Sequence, residues 1–158
     1  MTSSGPMAIR GRVLTFSDDP AVAGDRDSYR YLEDGLLILA DGRIRDMGEA
    51  GPLLATLPAG AAVHHYPGAL IMAGFIDAHI HYPQTQVIAS YGAQLLDWLE
   101  TYTYVEEQKF ADPVHAGRIA RFFLDELCRS GTTTAAVYCT VHPSSVDVFF
   151  ADRQQPYK

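Results

Sequence analysis

The sequence predicts an α/β fold, and three features carry that prediction. Asp41-Gly42 separates two apolar-rich runs, Gly35 to Ala40 and Arg43 to Gly48, which is the pattern of a tight hairpin in a β-rich first part. Leu70 to His81 is apolar almost throughout and turns polar at its end, as a strand buried on both faces does. Beyond it, a helical apolar repeat runs into a segment rich in Thr, Val and Tyr. That strand–helix–strand alternation is the unit from which parallel sheets are built.

Taken in order, Ala8 to Phe16 predicts a first strand, and Ser17 to Ser28 a polar loop marked by Pro20, Gly24 and aspartates. Tyr29 to Leu32 is a second strand candidate, followed by the two arms of the Asp41-Gly42 hairpin. Pro52 to Leu57 has room for one or two helical turns, and Val63 to Tyr66 for a short strand. The character changes at Pro67-Gly68, ahead of the long apolar run. Gln94 to Thr101, with Leu95, Leu96, Trp98 and Leu99, predicts a helix. A longer one follows. Asp112 is placed to cap it and Pro113 occupies its first position, where the missing N–H costs nothing. Val114, Ala116, Ile119, Ala120, Phe123, Leu124 and Leu127 recur at helical spacing, and Gly131 suits a left-handed C-terminal cap. Thr132 to Thr140 predicts a strand. Ser144 or Ser145 is placed to cap a last helix through Phe150, which gives way to a polar tail from Asp152.

Composition excludes several classes. Hydrophobic residues at 47% and charged residues at 20% belong to a globular chain with a buried core. A net charge of −7 without any Lys/Arg run argues against nucleic acid or an anionic membrane as partner. The N-terminus lacks the basic and apolar regions of a signal peptide, and no apolar run reaches the ~20 residues of a membrane span. Cys128 and Cys139 fit neither a disulfide framework nor a metal knuckle, so two reduced thiols in a cytoplasmic protein are expected. There is no phosphate-binding glycine loop, no nucleophile elbow, and no His-x-Glu with Pro-Cys-x-x-Cys.

The chemistry concentrates at His79 and His81. Side chains two apart on a strand project from one face, so two imidazoles here can grip a single metal ion from the same side. A lone His-x-His carries little weight, but this one closes an apolar strand, follows Asp77 and leads into the loop Tyr82-Pro83-Gln84. His64 and His65 are adjacent and point to a surface. His115 falls in the first turn of a helix, where solvation is expected. His142 follows the second strand at the same end as the pair, either supporting a metal site from outside or standing as a plain loop histidine. Trp98 lines a pocket for a flat ring or fills core, and its spacing favours core.

Gly74-Phe75-Ile76-Asp77-Ala78-His79-Ile80-His81 resembles the first barrel strand of the amidohydrolase superfamily. Several segments resemble the guanine deaminase family within it: His81-Tyr82-Pro83-Gln84-Thr85-Gln86, Leu95 to Thr103, Gly131 to Ala136, Cys139 to Pro143, and upstream Leu32 to Ile38. The resemblance runs from about Ala8 to Phe150. It implies a partial (β/α)8 barrel of two to three βα units over 70–158, preceded over 1–69 by part of a small β-sandwich. It implies His79 and His81 as metal ligands, with zinc the expected ion and iron open by the same chemistry. His81, Gln84 and Trp98 would border the substrate, with the Gln84 amide on the purine edge, and His142 would stand behind the metal site. The implied reaction is the hydrolysis of guanine to xanthine and ammonia, with zinc lowering the pKa of its water toward ~7. A homodimer and a small-molecule purine partner are implied as well.

The sequence departs from the pattern at Ala73, where the family often carries proline, and in its tail. Leu70 to Lys158 is short of the ~200–250 residues of a complete barrel. The proton-shuttling glutamate and the remaining ligands are therefore expected outside this chain, which is expected to be inactive alone. Another amidohydrolase acting on a ring amine or amide (a cytosine deaminase, chlorohydrolase or hydantoinase type) is the nearest rival reading, and a non-catalytic interaction protein is a rival from a different class.

Overall fold

The structure, a computed structural model, describes residues 6–24 and 27–152. The stretch before Pro6, Asp25-Arg26 in the first loop and the tail from Arg153 lie outside the described residues. The chain divides into two compact units, Met1–Ala73 and Gly74–Lys158, of mixed α and β structure.

The first unit contains β1 (Met7–Phe16), α1 (Pro20–Ala23), β2 (Tyr29–Ala40), β3 (Arg43–Glu49), α2 (Ala50–Leu54) and β4 (Ala62–Ile71). They form one sheet in the order β3-β2-β1-β4, with β1 antiparallel to β2 and parallel to β4. The Asp41-Gly42 hairpin forms as expected. Both residues take positive φ, 51° and 72°, the requirement of a two-residue turn whose twist matches its strands. Successive residues of β2 serve opposite faces. Leu36 and Ile38 pack with Ala8 and Ala50 under α2, while Leu37 joins Val13 and Leu32 on the other side.

Three expectations change in this unit. Tyr29 to Ala40 is one strand instead of two, because it pairs with β1 from Tyr29 to Leu39 across a bulge at Glu33-Asp34. The loop after β1 holds a helical turn, α1, whose Ala21 N–H donates to Asp19 Oδ1 at 2.8 Å. The short strand expected at Val63 to Tyr66 extends to Ile71, since Leu70 and Ile71 pair with Arg12 and Val13. The apolar run from Leu70 to His81 is therefore two strands that belong to different sheets.

The second unit opens with β5 (Phe75–His81) and a 3₁₀ stretch, Tyr82–Val87. Then follow α3 (Leu95–Trp98), a π-turn (Leu99–Thr103), α4 (Tyr104–Gln108) and a 3₁₀ turn (Lys109–Ala111). It closes with α5 (Pro113–Arg129), β6 (Thr132–Tyr138) and α6 (Pro143–Asp152). The expected helix over Gln94 to Thr101 is thus a longer composite. A π-turn interrupts it, a feature that often marks functional sites. α5 obeys its sequence signals: Val114 N–H donates to Asp112 Oδ1 at 2.9 Å, and Gly131 takes φ 78° after the helix. Ser144 and Ser145 lie inside α6, which begins at Pro143, and not at its cap. Ser145 is fully buried. Its Oγ donates to the His142 carbonyl at 2.8 Å and accepts from Thr140 N at 3.3 Å.

β5 and β6 pair in parallel, with His81 opposite Tyr138. The core lies on their helical side. Tyr82, Phe110, Ala116, Ile119, Ala120, Phe123 and Phe149 are buried there, with Ile80 and Val137 packed against them. The expectation that β5 is buried on both faces is corrected: Phe75 and Ile76 are 58% and 76% exposed. β5 has a single strand partner among the described residues, and Phe75, Ile76, Ala78 and His79 are exposed along it. Among the described residues no helix is long and apolar enough to cross a membrane.

Candidate metal and purine site

The strand period places His79 and His81 on one face of β5, with Ile80 between them turned to the other, into the core. The two rings meet: Nε2 of His79 is 3.1 Å from Nε2 of His81. Two ligands of one tetrahedral ion bound at ~2.0–2.1 Å stand about 3.3 Å apart, so the pair is spaced to share a metal through Nε2. The His79 backbone N–H donates to Asp77 Oδ1 at 3.0 Å, which ties the end of the strand to its own side chain. Among the described residues no third His, Cys, Asp or Glu gathers with the pair.

β5 runs straight into the Tyr82–Val87 turn, and that turn brings Gln84 back toward the histidines. Its Nε2 lies 3.5 Å from His81 Nδ1 and donates to Glu107 Oε1 on α4 at 3.3 Å. Because a carboxylate only accepts, Glu107 fixes which end of the amide faces it. Tyr82 anchors the turn. It is fully buried, rests against Phe110 and Phe149, and donates its hydroxyl to the Ser145 carbonyl at 2.8 Å. Burial pushes its pKa up to about 12.

A cavity of about 740 Å³ opens beside these groups and is lined by His79, His81, Gln84 and Trp98, with Phe122 and Glu126 from α5. Its size lies within the range of small-molecule sites. Trp98 therefore lines a pocket, where spacing had favoured the core. Its indole N–H donates to the Ser90 carbonyl at 3.1 Å.

The other candidates fall elsewhere. His142 works through its backbone at the start of α6: its N–H donates to Thr140 Oγ1 at 3.2 Å and its carbonyl accepts from Ser145. Among the described residues its ring contacts neither histidine of the pair. His64 and His65 are exposed on β4, as expected. His115 departs from expectation. Its ring sits edge-on to Phe110 at 5.0 Å, and Nε2 is buried without a partner. Cys128 and Cys139 are free thiols, and burial pushes the Cys139 thiol up, away from the thiolate form that binds metal.

Two contributors were missed in the sequence, Glu107 and Tyr138. Tyr138 stacks on His81 at 4.8 Å between ring centres and 14° between planes, and lies 4.5 Å from the ring of His79. Tyr138 carried no local signal, since its place opposite His81 depends on the β5–β6 register. The signal for Glu107 was absent, since it depends on how α4 folds back.

Comparison with known proteins gives first the family and then particular relatives. The amidohydrolase family profile matches residues 70–154, and the chain belongs to that family. It is 44% identical over 146 residues to the guanine deaminase of Escherichia coli K12, covering 90% of this chain and 33% of that protein. It is 36% identical over 151 residues to a probable guanine deaminase of Deinococcus radiodurans, covering 96% of this chain and 32% of that protein. The solved guanine deaminase of Bradyrhizobium japonicum superposes with a TM-score of 0.85 at 35% identity, covering 94% of this chain and 32% of that one. The chain spans about a third of the length of the relatives it matches.

Proposed function

We propose that this chain provides the first metal ligands and part of the purine pocket of a guanine deaminase, which hydrolyses guanine to xanthine and ammonia. The observation that carries the reading is the 3.1 Å approach of His79 Nε2 to His81 Nε2 at the mouth of a cavity that also holds Gln84 and Trp98. Similarity to guanine deaminases over nine-tenths of the chain supports the substrate.

In this reading residues 70–158 begin a (β/α)8 barrel, and 1–69 form part of a β-sandwich. The parallel β5–β6 pair joined through α5 supports the first, and the mixed four-stranded sheet supports the second. His79 and His81 would hold a zinc ion through their imidazole nitrogens. When bound, the ion supplies Lewis acidity that makes water nucleophilic near neutral pH. Two imidazoles fall short of a four-coordinate set, so the remaining ligands and the proton-transferring carboxylate belong to parts of the relatives that this chain does not span. The same reading takes the complete protein as a homodimer.

Gln84 orients the purine. With Nε2 given to Glu107, its Oε1 accepts from a ring N–H. Trp98, its own N–H satisfied by Ser90, offers an apolar surface to a flat ring. His81 borders metal and substrate alike, and His142 steadies the loop behind them through its backbone.

The test is a chimera in which this chain replaces the matching third of the Escherichia coli relative. Guanine turnover that disappears in His79→Ala and His81→Ala supports the proposal. Faster turnover of cytosine or another ring amine than of guanine would overturn it.

A further inference from the structure

We propose that Tyr138 is a positioning residue for the two imidazoles, holding them in the geometry in which both can reach one ion. The inference rests on the metal reading of His79 and His81, but the contact that carries it stands apart from that reading. In a parallel pair, partnered residues share a face of the sheet, and His81 is partnered with Tyr138. Register alone thus delivers the phenol ring to the histidine face. There it touches both imidazoles, nearly parallel to His81 at 14° and tilted 35° to His79.

The consequence is orientational. His79 is exposed on β5 and His81 is only half-buried, so close packing alone does not set the χ angles of the two histidines. An imidazole exposed on a strand has several rotamers, and few of them bring Nε2 toward a neighbour's Nε2. A flat ring against both narrows the choice. The effect belongs to the ring and not to the hydroxyl, so Phe serves in its place and an aliphatic residue does not.

The experiment compares wild-type chain with Tyr138→Phe and Tyr138→Leu by two readouts: NMR signals of the His79 and His81 rings without metal, and affinity for Co²⁺. Tyr138→Phe is expected to keep the ring-current displacement of both histidines and the wild-type affinity. Tyr138→Leu is expected to lose the displacement and bind Co²⁺ about tenfold more weakly, the scale of effect seen when groups that orient metal ligands are removed. Unchanged histidine signals in Tyr138→Leu would overturn the proposal. Should Co²⁺ bind elsewhere on wild type and leave the His79 and His81 signals unmoved, while those signals still depend on the ring at 138, the metal reading fails and the positioning role stands. If Tyr138→Leu does not fold, wild type decides: nuclear Overhauser contacts from the Tyr138 ring to both imidazoles support the role, and their absence overturns it.

Discussion

Gln84 donates its side-chain amide to Glu107 at 3.3 Å, joining the turn after β5 to α4 on the border of the cavity. A half-buried hydrogen bond to a carboxylate contributes about 1–2 kcal/mol, and its loss leaves the amide free to turn over. Glu107→Ala should lower the stability of the second unit by about 1 kcal/mol in urea unfolding. It should also broaden the Gln84 amide signals in NMR. Glu107→Gln, which can still accept through its oxygen, should keep most of both.

The Tyr82 hydroxyl predicts an alkaline limit on stability. Its folded pKa stands near 12 against an ordinary 10.0, so the unfolded chain releases the phenolic proton first. The stabilisation is complete below pH 10 and is lost as pH rises through about 12. Between those values the stability of wild type should fall by up to about 1.4 kcal/mol per pH unit from this group. Tyr82→Phe should remove that component of the slope. It should also cost about 1 kcal/mol at neutral pH, because the buried Ser145 carbonyl loses the hydrogen bond from the phenol.

Gly92 makes a close approach to Trp98. A Cβ at position 92 would lie 2.5 Å from the Trp98 Cβ and 2.9 Å from its Cγ, so backbone or indole has to shift. Gly92→Ala should therefore displace the indole from Ser90 and cost about 1–3 kcal/mol. Trp98 is the single tryptophan of the chain, so a changed emission maximum reports the displacement directly.

In the first unit, Gly42→Ala should cost about 1–2 kcal/mol, because position 42 takes φ 72°. The loss should appear as faster amide hydrogen exchange along β2 and β3, with the second unit unaffected.

Local signals were legible where chemistry and conformation share the same few residues. Asp41-Gly42 announced its turn, Asp112-Pro113 its helix start, and the strand period alone put His79 and His81 on one face. Long-range pairing decided the rest. Leu70 and Ile71 read as the start of the histidine strand, yet pair with Arg12 and Val13, and no periodicity distinguishes the two outcomes. Trp98 has the spacing of a core residue yet lines the cavity, its indole held at the Ser90 carbonyl by the fold of the preceding loop. Glu107 and Tyr138 reach the site through tertiary folding and β5–β6 register, neither of which leaves a local mark.

The most direct test is a Zn²⁺ titration of the chain followed through the ring resonances of its histidines. The account predicts that His79 and His81 respond together to a single ion, and that His79→Ala or His81→Ala abolishes the response of the remaining ring. Independent responses, or an ion taken up at His64 and His65 while the pair stays unmoved, would contradict it.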